Sequence, residues 1–249
     1  MQKTFKIPSH AGITEDQLFT SGKLACSGPM MDLYKAWYQD LGPLHFVWGA
    51  GNPETAKVLI IGEAPGPHED YTGIPFMGPT GAVLSSALHA TGISRMDDCF
   101  IINSVIQTPL VLPGYPEMKQ GISKPRTAEV FRDFVRVLQV VEILKPNLKA
   151  IVLLGKYAWV QAAMQERLRT TLAQGGEFDF NGIVLSRFLG WHEGDKDYDP
   201  KDFDVPVLVC YHPSYLMYIS SGLDEKSKRI KSDFLRSFQE LAALIKVNS

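Results

Sequence analysis

Carboxylates, an imidazole and an aromatic ring are gathered in one short tract, Gly62-Glu63-Ala64-Pro65-Gly66-Pro67-His68-Glu69-Asp70, followed by Gly73-Ile74-Pro75-Phe76. Two further candidates lie far along the chain, Asn103 and the run Tyr211-His212-Pro213-Ser214-Tyr215. The chemistries are complementary. A carboxylate orients water or steadies a cation, an imidazole donates or accepts a proton near neutral pH, and an amide offers donor and acceptor together, as reading a base edge requires. An aromatic on a Gly- and Pro-rich loop can serve as a stacking platform. Each also has a plain structural reading: a tight strand-to-helix turn for the glycines, core for Phe76, a turn-former for Asn103, a structural imidazole for His212. The tract is not a Walker loop, because no Gly-Lys-Ser/Thr follows it.

The elements that must position these groups are legible from periodicity. Lys57-Val58-Leu59-Ile60-Ile61 reads as a buried strand, Phe100-Ile101-Ile102 with Val105-Ile106 as a second strand interrupted at Asn103-Ser104, and Ala150 to Leu154 as a third. Further strands are predicted near 183–188 and over 205–210. Helices are predicted over 30–38, 79–91 (closed by Gly92), 125–144 behind Pro125, and 157–172. A last helix presents Ile230, Phe234, Phe238, Leu241 and Ile245 on one face. This rhythm predicts an α/β fold, a central, mainly parallel four-stranded sheet flanked by helices on both faces. The whole chain, 1–249, reads as one domain, with 1–56 as an irregular and helical extension. In such a sheet the carboxyl ends of the strands share one edge, and all three candidate segments follow a strand. One cleft can therefore collect residues more than a hundred positions apart.

Composition narrows the class. With 45% hydrophobic residues the chain can bury a substantial core, and a net charge of -2 with pI near 6.3 carries no global nucleic-acid signature. The stretch 193–204 holds six acids against two lysines, which reads as a solvated acidic loop. Cys26, Cys99 and Cys210 form no C-x-x-C pair, which fits a reducing compartment. The N-terminus lacks the apolar core of a signal peptide, and no window is long and apolar enough to span a membrane. A cytoplasmic or nucleoid-associated protein with no membrane partner is the expectation.

The series Gly62-Glu63-Ala64-Pro65-Gly66, Glu69-Asp70, Gly73, Pro75-Phe76, Gly78 and Gly81, then Asn103, then His212-Pro213-Ser214-Tyr215-Leu216, resembles the uracil-DNA glycosylase superfamily, with family 4 as the nearest branch. The likeness runs from about Val58 to the C-terminal helix. It implies a metal-independent hydrolysis of the N-glycosidic bond of a deoxyuridine flipped out of DNA, single- or double-stranded, by a protein expected to be monomeric. By the same likeness Phe76 stacks on uracil, Asn103 reads its edge, His212 donates to its O2, Glu69 orients water or favours the sugar cation, and Glu63, Ala64 and Asp70 complete the pocket. His212, Glu69 and Asn103 are thus the implied catalytic set.

Departures from the pattern carry expectations of their own. Most family 4 enzymes hold a four-iron cluster on four cysteines, yet Gln107 stands where the third is expected, Phe131 or Arg132 near the fourth, and Cys26 lacks a neighbouring partner. No iron-sulfur cluster or other cofactor is expected. Ala64 stands where the best-known relatives carry a water-activating aspartate. The stretch Pro213 to Tyr218 lacks the arginine common there in relatives, so Leu216, Met217 or Tyr218 is the expected DNA wedge, beside Ser214 and Tyr215. Phosphate contacts are expected from Lys124, Arg126, Lys228 and Arg229, with Lys119, Lys226 and Lys231 near them, although a solvated helix face explains the second cluster equally simply. Three rivals remain: a catalytically weak or inactive uracil- or single-stranded-DNA-binding protein of the same fold, a metal-dependent phosphohydrolase using Glu63, His68, Glu69 and Asp70, and a nucleoside hydrolase.

Overall fold

A computed structural model describes residues 28–41, 47–66, 69, 72–106, 133–155, 157–158, 161, 183–184, 205, 207–219 and 224–247. Within these, the chain runs α1 (Gly28–Leu41), β1 (Ala50–Gly51), β2 (Val58–Gly62), α2 (Pro79–Ala90), β3 (Cys99–Asn103), α3 (Phe134–Leu144), β4 (Ala150–Leu154), β5 (Ile183–Val184), β6 (Val207–Cys210), α4 (Pro213–Tyr218) and α5 (Glu225–Val247). The strands join in the order β1-β3-β2-β4-β6-β5. The four middle strands are mutually parallel, and both edge strands pair antiparallel.

The predicted four-stranded parallel sheet is therefore the centre of a six-stranded one. Both additions are two-residue strands: β5 falls at the start of the strand expected near 183–188, whereas β1 is too short to show a period-2 pattern and only its pairing with Phe100-Ile101 defines it. The central strands read as unbroken apolar runs because they are covered on both faces: every residue of β2, β3 and β4 is buried. Alternate side chains feed opposite cores. Leu59 and Ile61 join Phe100, Ile102, Ile151 and Leu153 beneath α1 and α3, where Tyr34, Val140 and Leu144 meet them. Val58 and Ile60 join Ile101, Val152 and Leu208 on the other face, closed by Leu84 and Leu88 of α2 and by Phe234, Phe238 and Leu241 of α5.

Helix boundaries follow local chemistry. Pro79 occupies the first turn of α2, where its missing N–H is not needed, and Gly92 just past its end takes φ 73°. The last strand of the second β-α unit ends at Asn103, after which the backbone leaves the ladder while still bonding β2's exit: Ser104 donates from both N–H and hydroxyl to the Gly62 carbonyl, at 2.9 and 2.7 Å. The start of the helix predicted from Pro125, most of the helix predicted over 157–172, the loop at 107–124 and the acidic stretch 193–204 lie outside the described residues. No described helix is long and apolar enough to cross a membrane.

The strand order reverses at β2, whose two neighbours, β3 and β4, follow it in sequence on opposite sides, and ligands of doubly wound sheets gather at such a switch point. The loop leaving β2 returns to α2 so tightly that a Cβ on Gly81 would fall 1.7 Å from the Phe76 carbonyl oxygen. Backbone cannot yield as a side-chain tip can. Gly81→Ala should therefore destabilise the fold by about 1–3 kcal/mol, overpacking outweighing the better helix propensity of alanine; an unchanged or raised midpoint of urea unfolding would contradict this packing.

Candidate active site

Parallel register puts the three predicted segments on one level. Gly62 pairs with Asn103 across β2 and β3, Ile61 with Leu153 across β2 and β4, and Leu154 with Cys210 across β4 and β6. Asn103, the loop after Gly62 and Tyr211-His212 thus emerge at the same sheet edge. They enclose a cavity of about 110 Å³, lined by Glu63, Ala64, Pro65, Gly66, Glu69, Phe76, Thr80, Asn103, His212 and Ser214. A volume of that size admits several waters or one planar heterocycle.

Glycine at 62 is what lets the walls meet. A Cβ there would lie 2.5 Å from both the Asn103 Oδ1 and the Phe76 ring. Phe76 is 5% exposed, and its ring centroid stands 5.8 Å from that of His212, tilted by 35°. Asn103 is 3% exposed, and among the described residues no group takes its side-chain amide. A buried amide facing a cavity is poised for a ligand's polar edge.

His212 is held by its own helix start. It caps α4 in extended conformation, with the Ser214 N–H donating to Nδ1 at 3.3 Å and the Ser214 hydroxyl 2.8 Å from the same nitrogen. With Nδ1 accepting, the ring proton resides on Nε2. Burial lowers the pKa of the imidazole from its ordinary 6.5 to about 4, so the ring is neutral at neutral pH. The group is a neutral hydrogen-bond donor at the cavity wall.

Glu69 has a different setting from the one its sequence suggests. It is 8% exposed, and its Oε2 accepts from the Gly66 N–H at 3.1 Å while Oε1 accepts from the N–H groups of Met77 and Gly78 at 3.1 and 3.4 Å. Both oxygens face the loop backbone. Glu63 lines the same cavity, and its charge, after burial, raises the pKa of Tyr157. Asp70, His68, Lys124 and Arg126 lie outside the described residues.

The expected DNA face needs correction. Leu216 is 8% exposed and belongs to the apolar core closed by α2 and α5, so it cannot wedge into a duplex. Ser214 turns its hydroxyl to His212 rather than outward. Tyr215, Met217 and Tyr218 are exposed, and Met217 Sδ approaches the Thr80 hydroxyl at 3.8 Å, on the cavity rim. Lys228 pairs with Glu225 at 2.8 Å and Arg229 with Asp233 at 3.5 Å along α5, which matches the solvated-face reading at least as well as phosphate binding. Thr80 joins the lining unannounced, since a Thr in the first turn of a helix carries no distinctive signal.

The donor set does not fit the four-cysteine cluster that the resemblance implies. The chain has three cysteines. Cys99 and Cys210 sit on β3 and β6 with two strands between them, and burial pushes each thiol up to about 12, away from the thiolate that metal ligation requires. Cys26 lies outside the described residues.

The model of the uracil DNA glycosylase superfamily matches residues 48–239. The chain belongs to this superfamily. Relatives described as type-4 uracil-DNA glycosylases include one from Archaeoglobus fulgidus, 31% identical over 176 residues, covering 70% of this chain and 73% of the relative. One from Thermotoga maritima is 28% identical over 209 residues, 82% and 88% of the two chains, and one from Saccharolobus solfataricus is 26% identical over 187 residues, 74% and 73%. The superfamily match spans every strand of the central sheet and all three segments that build the cavity.

The imidazole has a definite pH signature. Because its folded pKa is lowered, the unfolded chain binds the proton more readily; His212 costs no stability above about pH 6.5 and subtracts stability as pH falls from there toward 4. A nuclear magnetic resonance titration, with the His212 signal assigned by its loss in His212→Ala, should show a midpoint near 4. A midpoint at 6.5 would contradict the buried neutral ring.

Proposed function

We propose that this protein removes uracil from DNA by metal-independent hydrolysis of the N-glycosidic bond of a flipped deoxyuridine. The observation that carries the reading is the meeting of Phe76, the Asn103 amide and the neutral His212 around one base-sized cavity. A base must leave the stack to reach such a recess. Once there it stacks on Phe76, and the amide of Asn103 pairs with adjacent donor and acceptor positions on its polar edge.

As the bond to C1′ breaks, its electron pair moves onto the base and negative charge develops on the ring oxygens, while the sugar becomes cationic. The Nε2–H of His212 donates to the O2 atom, and a donor already fixed in place stabilises the transition state without reorganising. Ser214 keeps that proton on Nε2 by holding Nδ1. Water then adds to C1′ and releases a proton to solvent, while the uracil anion takes up a proton from solvent, leaving an abasic sugar and free uracil. We assign the orientation of that water to Glu63, and to Glu69 the holding of the loop, since its two oxygens already meet three backbone N–H groups. Tyr215, Met217 and Tyr218, exposed beside the cavity, are the side chains placed to fill the gap left by the flipped nucleotide.

The relatives named type-4 uracil-DNA glycosylases support the substrate, and the donor arrangement supports the chemistry. The test is alkali-revealed cleavage of an end-labelled oligonucleotide bearing one uracil, single- and double-stranded, in excess EDTA. Wild type should cleave at the uracil, His212→Ala should lose about 10²–10³-fold in rate as for removal of an oxyanion donor, and Asn103→Ala should fall at least tenfold. DNA retention with no cleavage would favour the binding-protein reading, and activity lost to EDTA the metal-dependent one.

A further inference from the structure

Phe76 has φ 56°, the one non-glycine residue with positive φ among those described. Such a backbone persists only where its surroundings over-determine it. Here they do so from two sides. Nη2 of the half-buried Arg95 donates to the carbonyls of Pro75 and Phe76 at 2.8 and 2.9 Å, while Nη1 donates to the Ser85 hydroxyl at 2.7 Å and reaches the Gly81 carbonyl at 3.4 Å. Opposite, Glu69 accepts from the next two N–H groups, those of Met77 and Gly78. A cation takes two successive carbonyls and an anion the two amides that follow, with the ring of Phe76 turned into the cavity between them.

Arg95 does not line the cavity. It sits on the turn before β3, anchored to α2, so it acts on the pocket only through the loop backbone. A guanidinium suits this task, because its rigid fork serves four acceptors at once where a lysine ammonium offers a single mobile point. Burial lowers its pKa and the neighbouring Cys99 and Glu69 act the other way, from an ordinary value so high that the side chain stays charged.

We propose that Arg95 is a positioning residue for the base site: opposed by Glu69, it fixes the left-handed backbone of Phe76 and hence the plane on which the flipped base stacks. Its consequence for catalysis rests on the glycosylase reading; the geometry it controls does not.

The test is a double-mutant cycle. Single-turnover uracil release at saturating protein is measured for wild type, Arg95→Ala, Arg95→Lys, Phe76→Ala and the Arg95→Ala/Phe76→Ala pair, with DNA affinity and thermal melting recorded for each. Arg95→Ala should slow release by at least about tenfold with DNA affinity unchanged, yet by less than about twofold once Phe76 is already alanine. Arg95→Lys should recover part of the rate. An equal loss in both backgrounds would overturn the proposal, since a general folding role does not depend on the ring.

In parallel, the protein labelled with 4-fluorophenylalanine reports the ring itself, the Phe76 resonance being assigned by its loss in Phe76→Leu. That resonance should shift in Arg95→Ala, and an unmoved resonance would overturn the proposal. If wild type releases no uracil, the glycosylase reading fails and the fluorine signal alone decides the role of Arg95. If Arg95→Ala does not fold, Ser85→Ala, which removes one anchor of the guanidinium, is read by the same resonance with the same two meanings.

Discussion

Everything at the site depends on the register between β2 and its parallel neighbours. Parallel pairing brings Gly62 level with Asn103 and, through β4, with the exit of β6. A slip of one residue would turn Asn103 from the cavity edge to the opposite face of the sheet and reverse every apolar contact of β3. The two cores prevent that slip, since each strand feeds both of them and neither face tolerates the other's side chains. The precision with which Phe76, Asn103 and His212 meet thus derives largely from apolar burial along the strands that carry them.

Charge is used sparingly around the cavity. The donor at the wall is a neutral imidazole, and burial rather than a partnering carboxylate keeps it so. This suits a reaction in which negative charge grows on the leaving base: a fixed neutral donor favours the transition state without first demanding a buried cation. The loop that carries Phe76 is held by hydrogen bonds to its backbone, from its own Glu69 on one side and from Arg95 on the other.

Much of this was readable in the sequence, for stated reasons. Strands buried on both faces leave unbroken apolar runs, so β2, β3, β4 and β6 declare themselves, and Asn103 and His212 stand out as polar residues where such runs stop. Side-chain direction was not readable. Leu216 looks like a wedge beside the His-Pro-Ser motif, but the turn of α4 aims it inward while Met217 and Tyr218 point out. Glu69 stands among carboxylates as a plausible water ligand, and only the folded loop brings three N–H groups to its oxygens. The edge strand β1, two residues long, holds too few positions for any periodicity. Arg95 lies in a polar turn, Ser94-Arg95-Met96-Asp97-Asp98, that resembles any solvated connection.

The central claim is that Phe76, Asn103 and His212 form one uracil-reading pocket. The most direct measurement is a titration of the ¹⁵N-labelled protein with free uracil, following the His212 Nε2–H and the Asn103 side-chain amide together. The account predicts that both signals shift along one saturable curve and that Phe76→Ala weakens it by about 1–3 kcal/mol, the worth of base–aromatic stacking. Signals that stay in place at saturating uracil, or that follow different curves, would contradict it.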